Sequence, residues 1–381
     1  MMYNLRINLI LRPFMRIKTI IFAVASTLSF SAIADNDSNE IEKAIRLLEQ
    51  KGYQIDSPNE TKKSPPVGIS LKSSQTGNVD AFISGDFGRT RYNNNNNFYD
   101  SGDNFLNNKI TDSSYNVRAS FAYQDPSKFG AQFDAVYSQE NIKGAKLSNV
   151  DLAGHAFYRS DKYLVGLFGQ YKQPSFHRSS TGNDDGYSSY TDVVGKILSP
   201  DQLFFGAEAQ GYFGDLTLTG QLAHQKFINQ SDYSNDGMFK DGTVATVKAN
   251  YFIKDNWKVN AGYAYNTADM SVYWGDTSSG ASYVNQIFSI GTEYRLSSFP
   301  VSIYGDYNHN KFNFDINCVD CGDITNPKYK SDTIMAGLKY NFGSDSLKSR
   351  DRSGASLDPI KTKGFSEFLG TIFGRDNTYP D

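Results

Sequence analysis

The chain has 381 residues, 39% of them hydrophobic, with a mean hydropathy of −0.50. No uncharged apolar run beyond the N-terminus is long enough to cross a bilayer as a helix, which excludes helical spans. Taking Arg6, Arg12, Arg16 and Lys18 of segment 1–34 from the 38 basic residues leaves 34 against 41 acidic ones, a net charge of −7. That balance excludes a nucleic-acid partner, which calls for a clustered basic surface.

Residues 1–34 read as a secretory signal. Arg16 and Lys18 precede the apolar run 19–30, and small residues at Ala32 and Ala34 predict cleavage after Ala34. Met15 stands directly before this pattern and is the expected translation start. Segment 35–76 follows. Asp37 and Glu40 form a capping-box-like start, and Ile41, Ala44, Ile45 and Leu48 recur at helical spacing before Gly52. A Pro, Lys and Ser-rich linker, 57–76, then separates this short helix from the rest.

From residue 77 to 342 the pattern changes to alternation of apolar and polar residues, the signature of strands. Twelve strands are expected, centred on 79–87, 115–123, 131–138, 149–159, 163–172, 202–212, 216–227, 243–252, 257–266, 284–296, 301–311 and 331–342. Short connections at 125–128, 160–162, 213–215, 254–256 and 297–300 alternate with six longer ones, notably 89–112, 173–201 and 315–329. An even strand count with short turns at one end and long loops at the other is the pattern of a single-chain, antiparallel transmembrane β-barrel. It places both barrel ends on the periplasmic side.

Successive strand side chains point to opposite faces. Val79, Ala81, Ile83 and Phe87, then Val117, Ala119 and Phe121, then Trp257, Val259 and Tyr263 suit lipid. The opposite faces, with Asp80, Ser84, Asp86, Asn116, Arg118, Lys258 and Asn260, are expected to be polar. The 25 Tyr and 27 Phe residues suit interfacial aromatic girdles. On the same alternation the candidate pore-lining residues are the acids Asp80, Asp86, Asp134, Asp151, Glu208, Glu293 and Asp306 and the bases Arg118, Arg159, Lys172, Lys248, Lys258, Arg295 and Lys339. Their signs nearly balance. Such groups either pair across a narrow lumen and fill it or line opposite walls of a water column, and twelve strands favour the open pore. Loop 173–201, with His177, Arg178, Asp184, Asp185 and Asp192, either folds into the mouth or is a solvated surface loop.

Cys318 and Cys321 are expected to form a local disulfide in an exported chain. Of the four histidines only His309 is near them, which does not suggest a metal site. No cofactor is implied. A lipase-type enzyme needs a nucleophile, a base and an orienting group within reach. His155, His177, His224 and His309 are the available histidine bases, none in a His-x-Ser-Asn setting, and Asp151 is about 13 Å along the strand from His155. Catalysis is not expected. Segment 35–76 is too short for a folded autotransporter passenger or a transporter plug domain.

The segment 331–342 alternates to its aromatic end, with Gly337, Leu338, Lys339, Tyr340, Asn341 and Phe342 last. With the hairpin rhythm and the signal, it resembles the porin-like outer-membrane barrels of Gram-negative bacteria over 77–342. The resemblance implies an outer-membrane channel for passive diffusion of ions and small hydrophilic solutes. It also implies surroundings of lipid and lipopolysaccharide, Phe342 as the aromatic read by the barrel-insertion machinery, and either a monomer or a homo-oligomer. The alternative is a closed-lumen barrel whose outer loops serve adhesion or recognition. The extension 343–381 departs from the family pattern. Its part 348–356 is charged and expected to be flexible, whereas Phe365, Phe368, Leu369, Ile372 and Phe373 form an apolar stripe, interrupted by Gly370. As a periplasmic tail it could lie on the inner leaflet, dock at the barrel mouth or pack on helix 41–48, and mouth docking is preferred because both helices sit on that side.

Overall fold

The computed structural model describes residues 77–94, 110–142, 145–178, 200–228, 239–274, 277–317 and 328–362. The signal segment, the helix at 41–48, the apolar stripe at 365–373, Cys318, Cys321 and most of loop 173–201 lie outside these residues.

Twelve strands form in sequence order: β1 (Asn78–Asn94), β2 (Ile110–Gln124), β3 (Phe129–Ile142), β4 (Ala145–Arg159), β5 (Tyr163–Arg178), β6 (Asp201–Phe213), β7 (Leu216–Ile228), β8 (Phe239–Lys254), β9 (Trp257–Trp274), β10 (Thr277–Arg295), β11 (Val301–Asn317) and β12 (Lys328–Phe342). Each pairs antiparallel with its neighbour, and β1 pairs with β12, from Ala81 opposite Phe342 to Asn94 opposite Tyr329, closing the barrel. Closure leaves no sheet edge with unpaired backbone groups, the condition for a sheet in hydrocarbon. The expected twelve-stranded antiparallel transmembrane barrel is therefore what this sequence builds.

The tight turns owe their shape to local chemistry. At the β2–β3 turn Asp125 Oδ1 accepts from Ser127 Oγ (2.7 Å) and the Phe129 N–H (3.0 Å), and Lys128 takes a φ of 76°. At the β6–β7 turn Gly214 takes a φ of 59°, where a side chain would be strained. The expected alternation of short and long connections is modified at two places. β3 and β4 run to within two residues of each other, as do β9 and β10. Residues such as Thr267, Val272, Tyr273 and Trp274 are good strand formers, so pairing continues past the apolar belt.

The outward face is as the alternation predicts. Phe121, Phe133, Val165, Leu167, Phe205, Leu222, Ile290 and Leu338 form an exposed apolar belt. At the short-turn end Tyr123, Phe129, Tyr163, Phe213, Tyr251, Trp257, Tyr294, Phe299 and Tyr340 form an exposed aromatic ring, the girdle expected at a headgroup boundary. The inward face is less uniformly polar than expected. Phe82, Phe157, Leu164, Phe168 and Phe204 point inward and are buried, because an apolar partner reaches them from within.

Leu167 is 68% exposed on the belt. Leu167→Arg should lower the stability of the barrel in lipid vesicles by about 2–4 kcal/mol, measured by denaturant titration.

Candidate functional site

The barrel interior holds the chain's own segment 344–362. The extension is expected as a tail that docks at the barrel mouth; this part of it enters the barrel, with Lys348 and Arg352 bonded at the short turns. Residues bonded to side chains of β1 through β8 and of β10 in a closed barrel can only lie inside it.

The turn inward begins where β12 ends. Gly343 takes a φ of 94°, and a side chain there would press on the Val79 carbonyl of β1. Asp80 then fixes both ends of the next element. Its Oδ1 accepts from Ser344 N–H (3.1 Å) and Oγ (2.6 Å), its Oδ2 from the Ala355 N–H (2.8 Å), and Arg295 donates to the Ser344 carbonyl (2.5 Å).

Between these points lies helix α1 (Leu347–Ser353), where a flexible charged run was expected. Ser346 caps it, accepting from the Ser349 N–H (3.0 Å). Every charge of the run finds a partner on the wall, and that orders it. Lys348 meets Asp215 (2.7 Å), and Arg350 Nη2 donates to Glu293 Oε1 (2.9 Å). Asp351 accepts from Thr217 and Asn250, and Arg352 lies over the Tyr212 ring (4.5 Å). Glu293 Oε2 also takes Lys258 (3.1 Å) and Lys339 (3.0 Å), so one buried carboxylate gathers three cations. Three cations also surround the Phe82 ring, Arg118, Lys339 and Arg350 lying 4.9–5.2 Å from its centre.

Beyond α1 the chain runs extended through residues 354–362. Arg159 donates to the Gly354 carbonyl (3.0 Å) and to Ser356 Oγ (2.8 Å). Leu357 packs into Phe157, Leu164 and Tyr212, and Ile360 into Phe168, Phe204, Ala223 and Val244. Burial of such a side chain stabilises by about 1.5–3 kcal/mol. Asp358 lies between Arg118 and Lys248, 2.5 Å from each. Lys172 donates to the Thr362 carbonyl (2.5 Å). Behind this segment Arg118 pairs with Asp134 (2.8 Å), and His155 sits between Asp134 (3.5 Å) and Glu208 (2.9 Å).

All fourteen candidate pore-lining residues stand at inward positions of the strand alternation. Seven of them, Asp80, Arg118, Arg159, Lys172, Lys248, Glu293 and Arg295, bond directly to the inner segment. Asp134 backs it through Arg118 and Gln132, Glu208 through Gln221, and Lys258 and Lys339 reach it through Glu293. Asp86 is apart, bonded to Asn116 (2.8 Å) and Tyr304 (2.7 Å). Asp306 stands against Gly291 and Asn260, and Asp151 lies opposite Lys172 in register. His155 thus meets Asp134 and Glu208 and not Asp151, and among the described residues no hydroxyl or thiol nucleophile bonds to it. Among the described residues no group of three or more His, Cys, Asp or Glu side chains could hold a metal ion.

Sequence reasoning missed the glutamines Gln132, Gln170, Gln210 and Gln221, each bonded to the inner segment. Their signal was present: all occupy inward positions of β3, β5, β6 and β7, where charge alone had been counted.

No protein-family model matches this chain, and no curated protein does. Among solved structures it is similar to an outer-membrane channel from Pseudomonas putida F1, at 10% identity over 75% of this chain and 100% of that one, with a TM-score of 0.45. It is also similar to the translocator domain of autotransporter NalP from Neisseria meningitidis, at 14% identity over 71% of this chain and 91% of that one, with a TM-score of 0.36. The KdgM porin in complex with disordered oligogalacturonate matches at 8% identity over 68% and 99% of the two chains, with a TM-score of 0.33. At the level of fold, the closed barrel with its apolar exterior is porin-like in its own right.

Asp358→Ala removes the acid between Arg118 and Lys248 and should cost the inner segment about 2 kcal/mol of attachment. The released population then rises about thirtyfold, read as faster trypsin cleavage at Arg352 and Lys361.

Proposed function

We propose that the protein is a bacterial outer-membrane channel for ions and small hydrophilic solutes, held closed or narrowed by its own segment 344–362. The observation that carries this function is the chemistry of the wall behind that segment. Gln132, Asp134, Gln170, Lys172, Glu208 and Gln221 are buried under it yet polar, so withdrawal of the segment offers water bonding partners between the apolar pockets of Leu357 and Ile360. The opposite wall, on β9 to β12, carries Asn260, Gly262, Ser289, Gly291, Asp306, Asn308 and Gly337, all partly accessible. Small and polar side chains there present a hydratable surface beside the segment. In this arrangement both barrel ends face the periplasm, the aromatic ring lies at the inner headgroup level, and Phe342 serves insertion. The lipid contacts include lipopolysaccharide.

Planar-bilayer recordings test this. The whole chain should show small or intermittent currents, and deletion of 343–381 should give steady conductance several times larger, since open area rises once the lumen is vacated. The filled lumen favours one other function, a permanently closed barrel whose outer loops serve recognition. It predicts no current at all from the whole chain, and that outcome would sink the channel even where the deleted chain conducts.

The acidic net charge of the mature chain, with Asp86 and Asp306 on the inward face, supports a slight preference for cations. The reversal potential in a salt gradient should have the cation-selective sign; an anion-selective value refutes the preference.

A further inference from the structure

The lumen wall treats segment 354–362 as a receptor treats a bound peptide. Gln132 Nε2 donates to the Leu357 carbonyl (2.7 Å) while its Oε1 accepts from the Leu357 N–H (3.1 Å). Gln170 repeats this at Ile360, donating to the carbonyl (3.0 Å) and accepting from the N–H (2.7 Å). Gln221 donates to the Asp358 carbonyl (2.9 Å), and Arg118 adds a second bond to the Leu357 carbonyl (2.8 Å). A side-chain amide offers one acceptor and two donors, so a glutamine lying flat against an extended residue satisfies both its backbone groups whatever its side chain. Pro359, between the two gripped residues, has no N–H to satisfy.

The wall holds its own glutamines in place. Gln132 Nε2 also donates to Asp134 Oδ2 (2.7 Å), and Gln221 Nε2 to Glu208 Oε2 (3.1 Å), so the Asp134–His155–Glu208 row aims both amides inward. Among the described residues, 355–362 makes no backbone–backbone hydrogen bond. Ordinary core packing accounts for the two aliphatic clusters; it does not call for buried amides that read a backbone. The combination of backbone-reading amides, two aliphatic pockets and a pair of cations constitutes a ligand site.

We propose that the inward wall of β2 to β8 is a binding site for extended peptides carrying an acidic residue between two aliphatic ones, and that 354–362 is its built-in occupant. The site is the lumen of the proposed channel, so peptides of this class become its solutes; that step rests on the channel function, whereas binding does not. The acid is set between Arg118 and Lys248, and the aliphatic side chains enter the pockets of Leu357 and Ile360. Backbone recognition by Gln132 and Gln170 makes the remaining positions permissive.

The test uses the full chain carrying Asp358→Lys, in which Arg118 and Lys248 repel the built-in occupant. Trypsin cleavage at Arg352 and Lys361 should accelerate, reporting release. A fluorescent peptide of sequence Gly-Ala-Ser-Leu-Asp-Pro-Ile-Lys-Thr should then bind saturably in detergent micelles, read by anisotropy. Loss of the acid between Arg118 and Lys248 is worth about thirtyfold, so the same peptide with its Asp changed to Asn should bind about that much more weakly. Adding Gln132→Ala and Gln170→Ala to the D358K chain should weaken binding further without changing its circular dichroism. Equal binding of a scrambled peptide, no binding by the released chain, or no release in D358K would each overturn the proposal. A barrel that binds the peptide yet never conducts would instead sink the channel function alone.

Discussion

Closure of β1 onto β12 is the constraint from which the rest follows. In hydrocarbon a strand edge has no water to satisfy its backbone, so the sheet must return on itself. Closure divides every strand into a lipid-facing row and an inward row, and the same pleat that exposes Phe121, Leu167 and Leu338 sends Arg118, Phe168 and Lys339 inward. The inward row must then be hydrated or filled. In this protein segment 344–362 fills much of it.

The manner of filling sets this barrel apart from one whose wall charges pair directly across the lumen. Asp358 joins Arg118 of β2 to Lys248 of β8, and Arg350 joins the Lys258 and Lys339 cluster through Glu293. Lys348, Arg350 and Asp358 of the inner segment each answer an opposite charge of the barrel, whereas Asp351 is held by Thr217 and Asn250 and Arg352 by the Tyr212 ring. Removing the occupant leaves Arg118 and Lys248 without Asp358 but beside a lumen large enough for water, where exposed charge costs little.

Most of the barrel was legible in the sequence because its information is local. Alternation at i and i+2, a tight turn after each pair of strands and an aromatic at Phe342 specify strand number, face and closure without reference to distant residues. The fourteen inward charges followed from the same rule. The interior aromatics did not, because Phe82, Phe157 and Phe168 read as exceptions to a polar face until Ala355, Leu357 and Ile360 are set against them. The charged run at 348–356 read as solvated, since its helix draws its order from Glu293, Asp215 and Thr217, far away in the chain.

The sequence by itself determined a closed, twelve-stranded, antiparallel barrel with a lipid-suited exterior, because the pleat converts a two-residue repeat directly into a membrane face. Only the tertiary structure decided what occupies the lumen. The contacts that seat the inner segment join residues up to 275 positions apart, such as Asp80 and Ala355, and no local pattern encodes which inward glutamine will meet which backbone group. Those pairings exist only once the barrel has closed and brought its strands around one axis.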